Sequence, residues 1–225
     1  MRSYQELFAL AAERKGGEAA LRAQIDAPKS PSALQKIPDD RWLAEMTRRI
    51  FQSGFNWELI DKKWPAFEQA FWRFAVGRCA LMSDDDLDAL AANAAIVRNV
   101  KKILTVRDNA VFLQQIAAEH GSAGAFFSKW PREDYVALLT VLKKRASHMS
   151  GSTAQYFLRF MGVDSAVFSR DMVAALIREG VVDKAPSSQK DLKACQAAFD
   201  RWIEQGAGGL TEISRVLAMS IDAPK

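Results

Sequence analysis

Apolar residues recur at spacings of three and four along nearly the whole chain, and no stretch alternates as a half-buried strand would, so the pattern predicts an all-helical fold. Ser3-Tyr4-Gln5-Glu6 is a capping-box pattern that starts a helix to about residue 14, and Gly16-Gly17 breaks it. A short helix follows over 18–25. Residues 28–38, with three prolines, read as a linker or an arm laid across the surface. Asp39-Asp40 opens a helix to about residue 54, and the next runs from 58 to about 74 with Trp64, Phe67, Phe71 and Trp72 along it. An aromatic stripe at that spacing is assigned to core packing. Phe55 and Trp57 differ, because they stand in the turn between the two helices, where a ring can face a cleft. Ser83-Asp84-Asp85-Asp86 caps a helix to about residue 93, and a long helix is expected over 98–120. Further helices are expected over 122–128, over 131–145 with Pro131 at its first position, and over 153–161, 171–179, 188–205 and 211–220.

Composition narrows the class. A chain of 225 residues, 49% hydrophobic and 26% charged, is long enough for one domain or two closely packed subdomains. No run approaches the roughly 20 apolar residues of a membrane span, and the first residues lack the apolar core of a signal peptide, so a cytoplasmic protein is expected. Cys79 and Cys195 are the only cysteines, which excludes a disulfide framework or a four-thiolate cluster. The net charge of +4 is compatible with a polyanionic partner without demanding one.

Candidate chemistry is concentrated between Ser147 and Asp171. Ser150, Gly151, Ser152 and Thr153 form a small-residue turn opening an apolar helix, where main-chain N–H groups and the helix dipole can cradle an anion. Lys143, Lys144, Arg145 and His148 add positive charge just upstream. Asp171 follows Ser169, an N-cap candidate, and so lies in a first helical turn that favours negative charge.

At these residues the chain resembles the helix-hairpin-helix DNA glycosylase superfamily, in which a hairpin ending in Thr-Ala grips a phosphate and an essential Asp follows, with an aliphatic residue two positions later. The matching positions are Thr153-Ala154, Gly162, Asp171 and Val173. A narrower resemblance, to the 3-methyladenine DNA glycosylase I family, lies in Gly54-Phe55-Asn56-Trp57, in Ser83-Asp84-Asp85-Asp86-Leu87 and in Ile96-Val97-Arg98-Asn99-Val100-Lys101-Lys102-Ile103. The resemblance implies a compact glycosylase-like unit over 1–225, with two closely packed helical subdomains and a cleft between them, made of N-terminal helices and an arm (1–38), a helical subdomain (39–145), the hairpin and Asp171 helix (146–180) and C-terminal helices (181–225).

It further implies a monofunctional DNA glycosylase of base excision repair, a monomer that flips a damaged base, an alkylated purine, out of double-stranded DNA and leaves an abasic site. Asp171 would stabilise the oxocarbenium-like transition state. Glu45, Arg49, Gln52, Phe55 and Trp57 would surround the extruded base, and Lys143, Lys144, Arg145, His148 and residues 150–153 would hold phosphates. Superfamily members with lyase activity carry a Lys where this chain has Ser152. No cofactor is expected, and no metal either: the 3-methyladenine family holds zinc with Cys and His from both chain ends, whereas His120 and His148, the only histidines, lie far from both.

One departure bears on the substrate. The family's acid, eight residues before its Trp, is replaced by Arg49, so either Glu45 one turn earlier takes its role or the base is neutral. Two competing readings are a DNA clamp that keeps the hairpin without catalysis and a helical interaction scaffold.

Overall fold

A computed structural model describes residues 1–221. Those residues are helical throughout, with short 3-10 turns and no strand, as the three-and-four spacing requires. They divide into two compact units, one of residues 1–29, 131–138 and 162 onward, the other of residues 30–130 and 139–161. Among the described residues no helix is long and apolar enough to cross a membrane.

The first unit opens with α1 (Tyr4–Lys15) and α2 (Glu18–Arg22). Ser3 and Glu6 complete the capping box of α1, and Gly16, at φ 84°, closes it in the left-handed region where glycine carries no Cβ penalty.

The second unit contains α3 (Pro31–Gln35), α4 (Asp39–Gln52), α5 (Trp57–Ala70), α6 (Val76–Ala80), α7 (Asp84–Ala92), α8 (Val100–His120) and α9 (Ala123–Lys129). α10 (Tyr135–Arg145) carries the chain from the first unit into the second, and α11 (Gly151–Met161) completes it. α8 packs against α4, α6, α7 and α9, and α11 lies on α4. The core is aromatic: Trp42 is fully buried and stacks on Phe127 at 4.7 Å between centroids, with Phe157 edge-on at 5.9 Å. Each such ring contributes about 1.5–3 kcal/mol by leaving water. Gly124 is where α9 meets α3, since a Cβ there would stand 2.5 Å from the Leu34 carbonyl oxygen.

The C-terminal part of the first unit has α12 (Arg170–Arg178), α13 (Gln189–Glu204) and α14 (Leu210–Met219). α14 packs against α1, α12 and α13. Asp164 caps α14 by accepting from the Leu210 and Thr211 amides at 3.0 and 2.8 Å.

Four expectations need correction. The helix expected over 58–74 ends at Ala70, because Trp72, Arg73 and Phe74 all adopt positive φ. Left-handed backbone costs roughly 1–2 kcal/mol per residue. Here it turns Phe71 and Phe74 inward, both fully buried and stacked at 5.6 Å, which offsets that cost. Of the aromatic stripe, Phe67 and Phe71 are buried, while Trp72 is half-buried under the Arg78 guanidinium at 3.7 Å. The arm of residues 28–38 contains α3, with Pro31 at its start. Pro131 precedes a 3-10 turn over Arg132–Asp134 instead of opening α10. Trp57 is the first residue of α5 instead of a turn residue, with Asn56 as its N-cap.

Candidate active site

α4 presents a face that should be wholly apolar, and most of it is: Trp42, Leu43, Met46, Ile50 and Phe51 are buried. Arg49 and Gln52 are buried beside them, at 5% and 2% exposure. Polar side chains are carried into a core helix only where partners or a function compensate.

The partners are incomplete. Arg49 Nε lies 2.7 Å from Glu45 Oε1, one turn back along α4. The guanidinium carbon sits 3.9 Å from the centroid of the Phe160 ring and 5.2 Å from that of Trp57. Arg49 Nη1 is buried without a hydrogen-bond partner. Gln52 donates from Nε2 to Asp61 Oδ1 at 3.0 Å, and Arg48 holds the same oxygen from Nε and Nη2 at 2.9 and 2.7 Å. Asp61, when ionised, only accepts, so the Gln52 amide must turn its nitrogen there, which leaves Gln52 Oε1 buried and unpartnered. Burial pushes the Glu45 carboxyl above the usual carboxylate range, against the pull of Arg49 and Arg48. Burial likewise lowers Arg49 from its ordinary value, opposed by Glu45.

Trp57 is joined by Tyr156 and Phe160 of α11, edge-on at 5.5 and 6.2 Å. Trp57 and Phe160 are 41% and 51% exposed, so the cluster covers Arg49 on one side and faces solvent on the other. Phe55 is also exposed, against Lys102 Nζ at 4.5 Å. Lys102 donates to the carbonyls of Ile50 at 2.7 Å and Phe51 at 3.3 Å, closing the C-terminus of α4 and fixing the turn that carries Phe55. Burial lowers its pKa. Asn99 caps α8 and thereby sets the position of Lys102.

The turn between α10 and α11 is held from below. Asn109 of α8, itself buried, accepts from the Ser147 amide at 2.8 Å and donates to its carbonyl at 3.0 Å. His148 and Gly151 take positive φ, 57° and 54°, and Met149 anchors the turn in the core. Ser150, Gly151 and Ser152 are exposed and Thr153 is half-buried, so α11 begins with its amides open to solvent. Lys143, Lys144 and His148 are exposed as well, but Arg145 is committed to Glu119 at 2.6 and 2.9 Å.

Asp171 lies in the first unit, in the opening turn of α12, with its side chain exposed. Ser169 caps that helix by accepting from Met172 N at 3.2 Å.

Sequence reasoning thus named Glu45, Arg49, Gln52 and Trp57, which the fold brings together, and missed Tyr156, Phe160, Asp61, Asn109 and Lys102. Tyr156 and Phe160 are spaced i, i+4 on α11, and that spacing beside exposed positions was the available signal.

Two solved structures share the fold. The 3-methyladenine DNA glycosylase I of Staphylococcus aureus aligns over 70% of this chain and 92% of its own at 20% identity, with a TM-score of 0.52. The 8-oxoguanine glycosylase/lyase of Methanocaldococcus jannaschii, solved with DNA containing 8-oxoguanine, aligns over 94% and 95% at 15% identity, also at 0.52. No curated protein matches the sequence. Both solved structures share this chain's all-helical architecture, and a family match makes the chain a DNA N-glycosylase, an enzyme of base excision repair. The methyladenine glycosylase family model matches residues 35–155, more than half of the sequence, and the chain belongs to that family. The matched span includes α4, Trp57 and the α10–α11 turn, while Asp171 lies beyond it.

Proposed function

We propose that this chain is a monofunctional glycosylase that draws a damaged base out of double-stranded DNA, hydrolyses its N-glycosidic bond and leaves an abasic site. The observation that carries the reading is the family match over residues 35–155, which takes in Trp57, the polar face of α4 and the hairpin turn. An alkylated purine is the substrate class that the family's description brings to this chain.

In this reading the amides of residues 150–153, with Lys143, Lys144 and His148, hold phosphates and set the register on the duplex without reading sequence. Arg145 contributes less, because its guanidinium is already taken by Glu119. The flipped base stacks at the Trp57, Tyr156 and Phe160 rings. Stacking on an aromatic side chain is worth about 1–3 kcal/mol per base, enough to offset much of the few kcal/mol that unstacking costs. The bond from C1′ to the base nitrogen breaks, water bonds to C1′, and the base departs with a proton. Asp171 supplies the carboxylate that stabilises positive charge on the sugar and orients the water. Ser152 offers no amine for a Schiff base, so the strand stays intact.

Incubating the protein with duplexes carrying alkylated purines or hypoxanthine, and then with alkali, tests the proposal. Breaks at the damaged positions are expected only after alkali treatment. Breaks before alkali would mean a lyase, and none after it would mean a protein that binds without excision.

A further inference from the structure

Beyond the Glu45–Arg49 ion pair, whose facing atoms Oε1 and Nε also lack a well-formed hydrogen bond, the cluster on α4 leaves a donor, Arg49 Nη1, and an acceptor, Gln52 Oε1, without a hydrogen-bond partner, three residues apart on one helix face. Both side chains are more than nine-tenths buried. Leaving such groups unpaired is costly, and native proteins tolerate it where a ligand completes the pairing. The pair asks for a ligand edge that presents an acceptor beside a donor. A lactam, a ring carbonyl next to a ring N–H, is that edge.

Charge points the same way. A guanidinium already lies against the faces of Phe160 and Trp57, the place where a cationic base would be attracted. Glu45, the carboxylate nearest to it, is occupied by Arg49 at 2.7 Å, and Asp61 is occupied by Arg48 and Gln52. A cationic base would therefore meet a like charge and find the nearby acids engaged.

We infer that Arg49 and Gln52 determine specificity by reading a neutral damaged purine through its lactam edge, the guanidinium donating to the carbonyl oxygen and the Gln52 amide oxygen accepting from the adjacent N–H. Hypoxanthine, or a guanine alkylated on its exocyclic nitrogen, has that edge. Purines alkylated at N3 or N7 are cationic within DNA and are discriminated against. The inference rests on the glycosylase reading above and assigns it a neutral lesion in place of a cationic alkylated purine. Trp57 and Phe160, the exposed part of the cluster, form the cover through which the base reaches the two atoms.

Single-turnover base release is measured from duplexes carrying hypoxanthine or N3-methyladenine, each rate divided by the spontaneous release of the same base. Affinity is measured in parallel for duplexes whose lesion nucleotide carries a 2′-fluorine that blocks cleavage. Wild type should favour the neutral base at least tenfold in both readouts. Arg49→Gln should shift both ratios at least tenfold toward the cation, whereas Arg49→Lys, which keeps the charge, should still disfavour it. A wild-type preference for the cationic base, or ratios unchanged in a folded Arg49→Gln, overturns the inference. The wild-type ratios need no variant and decide the matter even where Arg49→Gln does not fold. Release of both bases without preference leaves the glycosylase reading standing and removes this one. Preference in binding with no release from either duplex, abolished in Arg49→Gln, upholds this one and removes the glycosylase activity.

Discussion

Two carboxylates, one in each unit, the buried Glu179 and the half-buried Glu45, show how differently the same chemistry is finished. Glu179, at the end of α12, accepts from the Arg2 amide at 2.8 Å, from Arg2 Nη1 at 2.7 Å and from Arg178 Nε at 2.8 Å. Arg178 in turn donates to the carbonyl and hydroxyl of Ser220 at 2.7 and 2.9 Å. Burial alone would raise the Glu179 pKa, but these hydrogen bonds from Arg2 and Arg178 win and hold it below the usual range. Glu45 has Arg49 as its near partner, its pKa goes the other way, and Arg49 keeps an unpaired donor. Glu179 takes three donors, and no buried atom of Glu179 or Arg178 is left without a partner, which is what a structural tie needs. The α4 pair is left open beside exposed aromatic rings, the place where the inferred ligand completes it.

The largest effect on stability should come from breaking the closed tie. Glu179→Ala strands Arg2 and Arg178 and should cost about 2–3 kcal/mol, the range for hydrogen bonds to charged groups, read as a drop in denaturation midpoint with lesion preference unchanged. A cost below about 0.5 kcal/mol would reduce Glu179 to an ordinary surface charge.

The pH dependence of stability should split the two acids by sign. Glu179, with a lowered folded pKa, contributes stability that is present above the unfolded glutamate value and lost as pH falls through the folded one. The deficit of Glu179→Gln should therefore shrink on acidification. Glu45, with a raised folded pKa, contributes stability below the unfolded value that is lost as pH rises through the folded one. Glu45→Gln should consequently gain on wild type as pH rises across that window. Parallel curves for the two variants would erase the distinction.

On DNA the contrast moves to the hairpin, where Lys143 and Lys144 are exposed and Arg145 is tied to Glu119. Replacing both lysines with Ala should flatten the dependence of log affinity on log salt by up to about one unit per lost phosphate contact, with no change in lesion preference. Arg145→Ala should flatten it less. The reverse order would place the phosphate contacts on Arg145.

The smallest stability effect should come from removing the open pair altogether. Glu45→Gln with Arg49→Met should stay within about 1 kcal/mol of wild type or exceed it, because a buried ion pair seldom outperforms a neutral replacement. A loss of several kcal/mol would make the pair a structural tie like that of Glu179.

Much of this was legible in the sequence. The period of apolar positions located α1, α4 and α8 because each buries one stripe, and capping pairs such as Ser3 with Glu6 and Ser83 with Asp86 marked starts. The left-handed run at Trp72–Phe74 was not legible: it contains no glycine or proline and exists because burying Phe71 and Phe74 outweighs local preference. Trp57 was legible as an aromatic beside a turn, Gln52 as its neighbour one helical turn before, and Arg49 as the position that the family resemblance reserves for an acid. Tyr156 and Phe160 reach the same place from α11: their i, i+4 spacing marks a shared face, but which residues that face meets is set only by packing of α11 on α4. Asn109 left a trace, a polar residue on the stripe shared by Val106, Ala110 and Leu113, which is itself a sign that the helix holds something.

The catalytic role proposed for Asp171 is tested most directly by single-turnover base release by wild type and Asp171→Asn. Asn keeps the shape and removes the charge, so DNA binding should persist while release falls about 100- to 1,000-fold, the usual loss when a group stabilising transition-state charge is removed. Equal release by the two proteins would make Asp171 a residue of the first turn of α12 and nothing more, and would contradict the catalytic assignment.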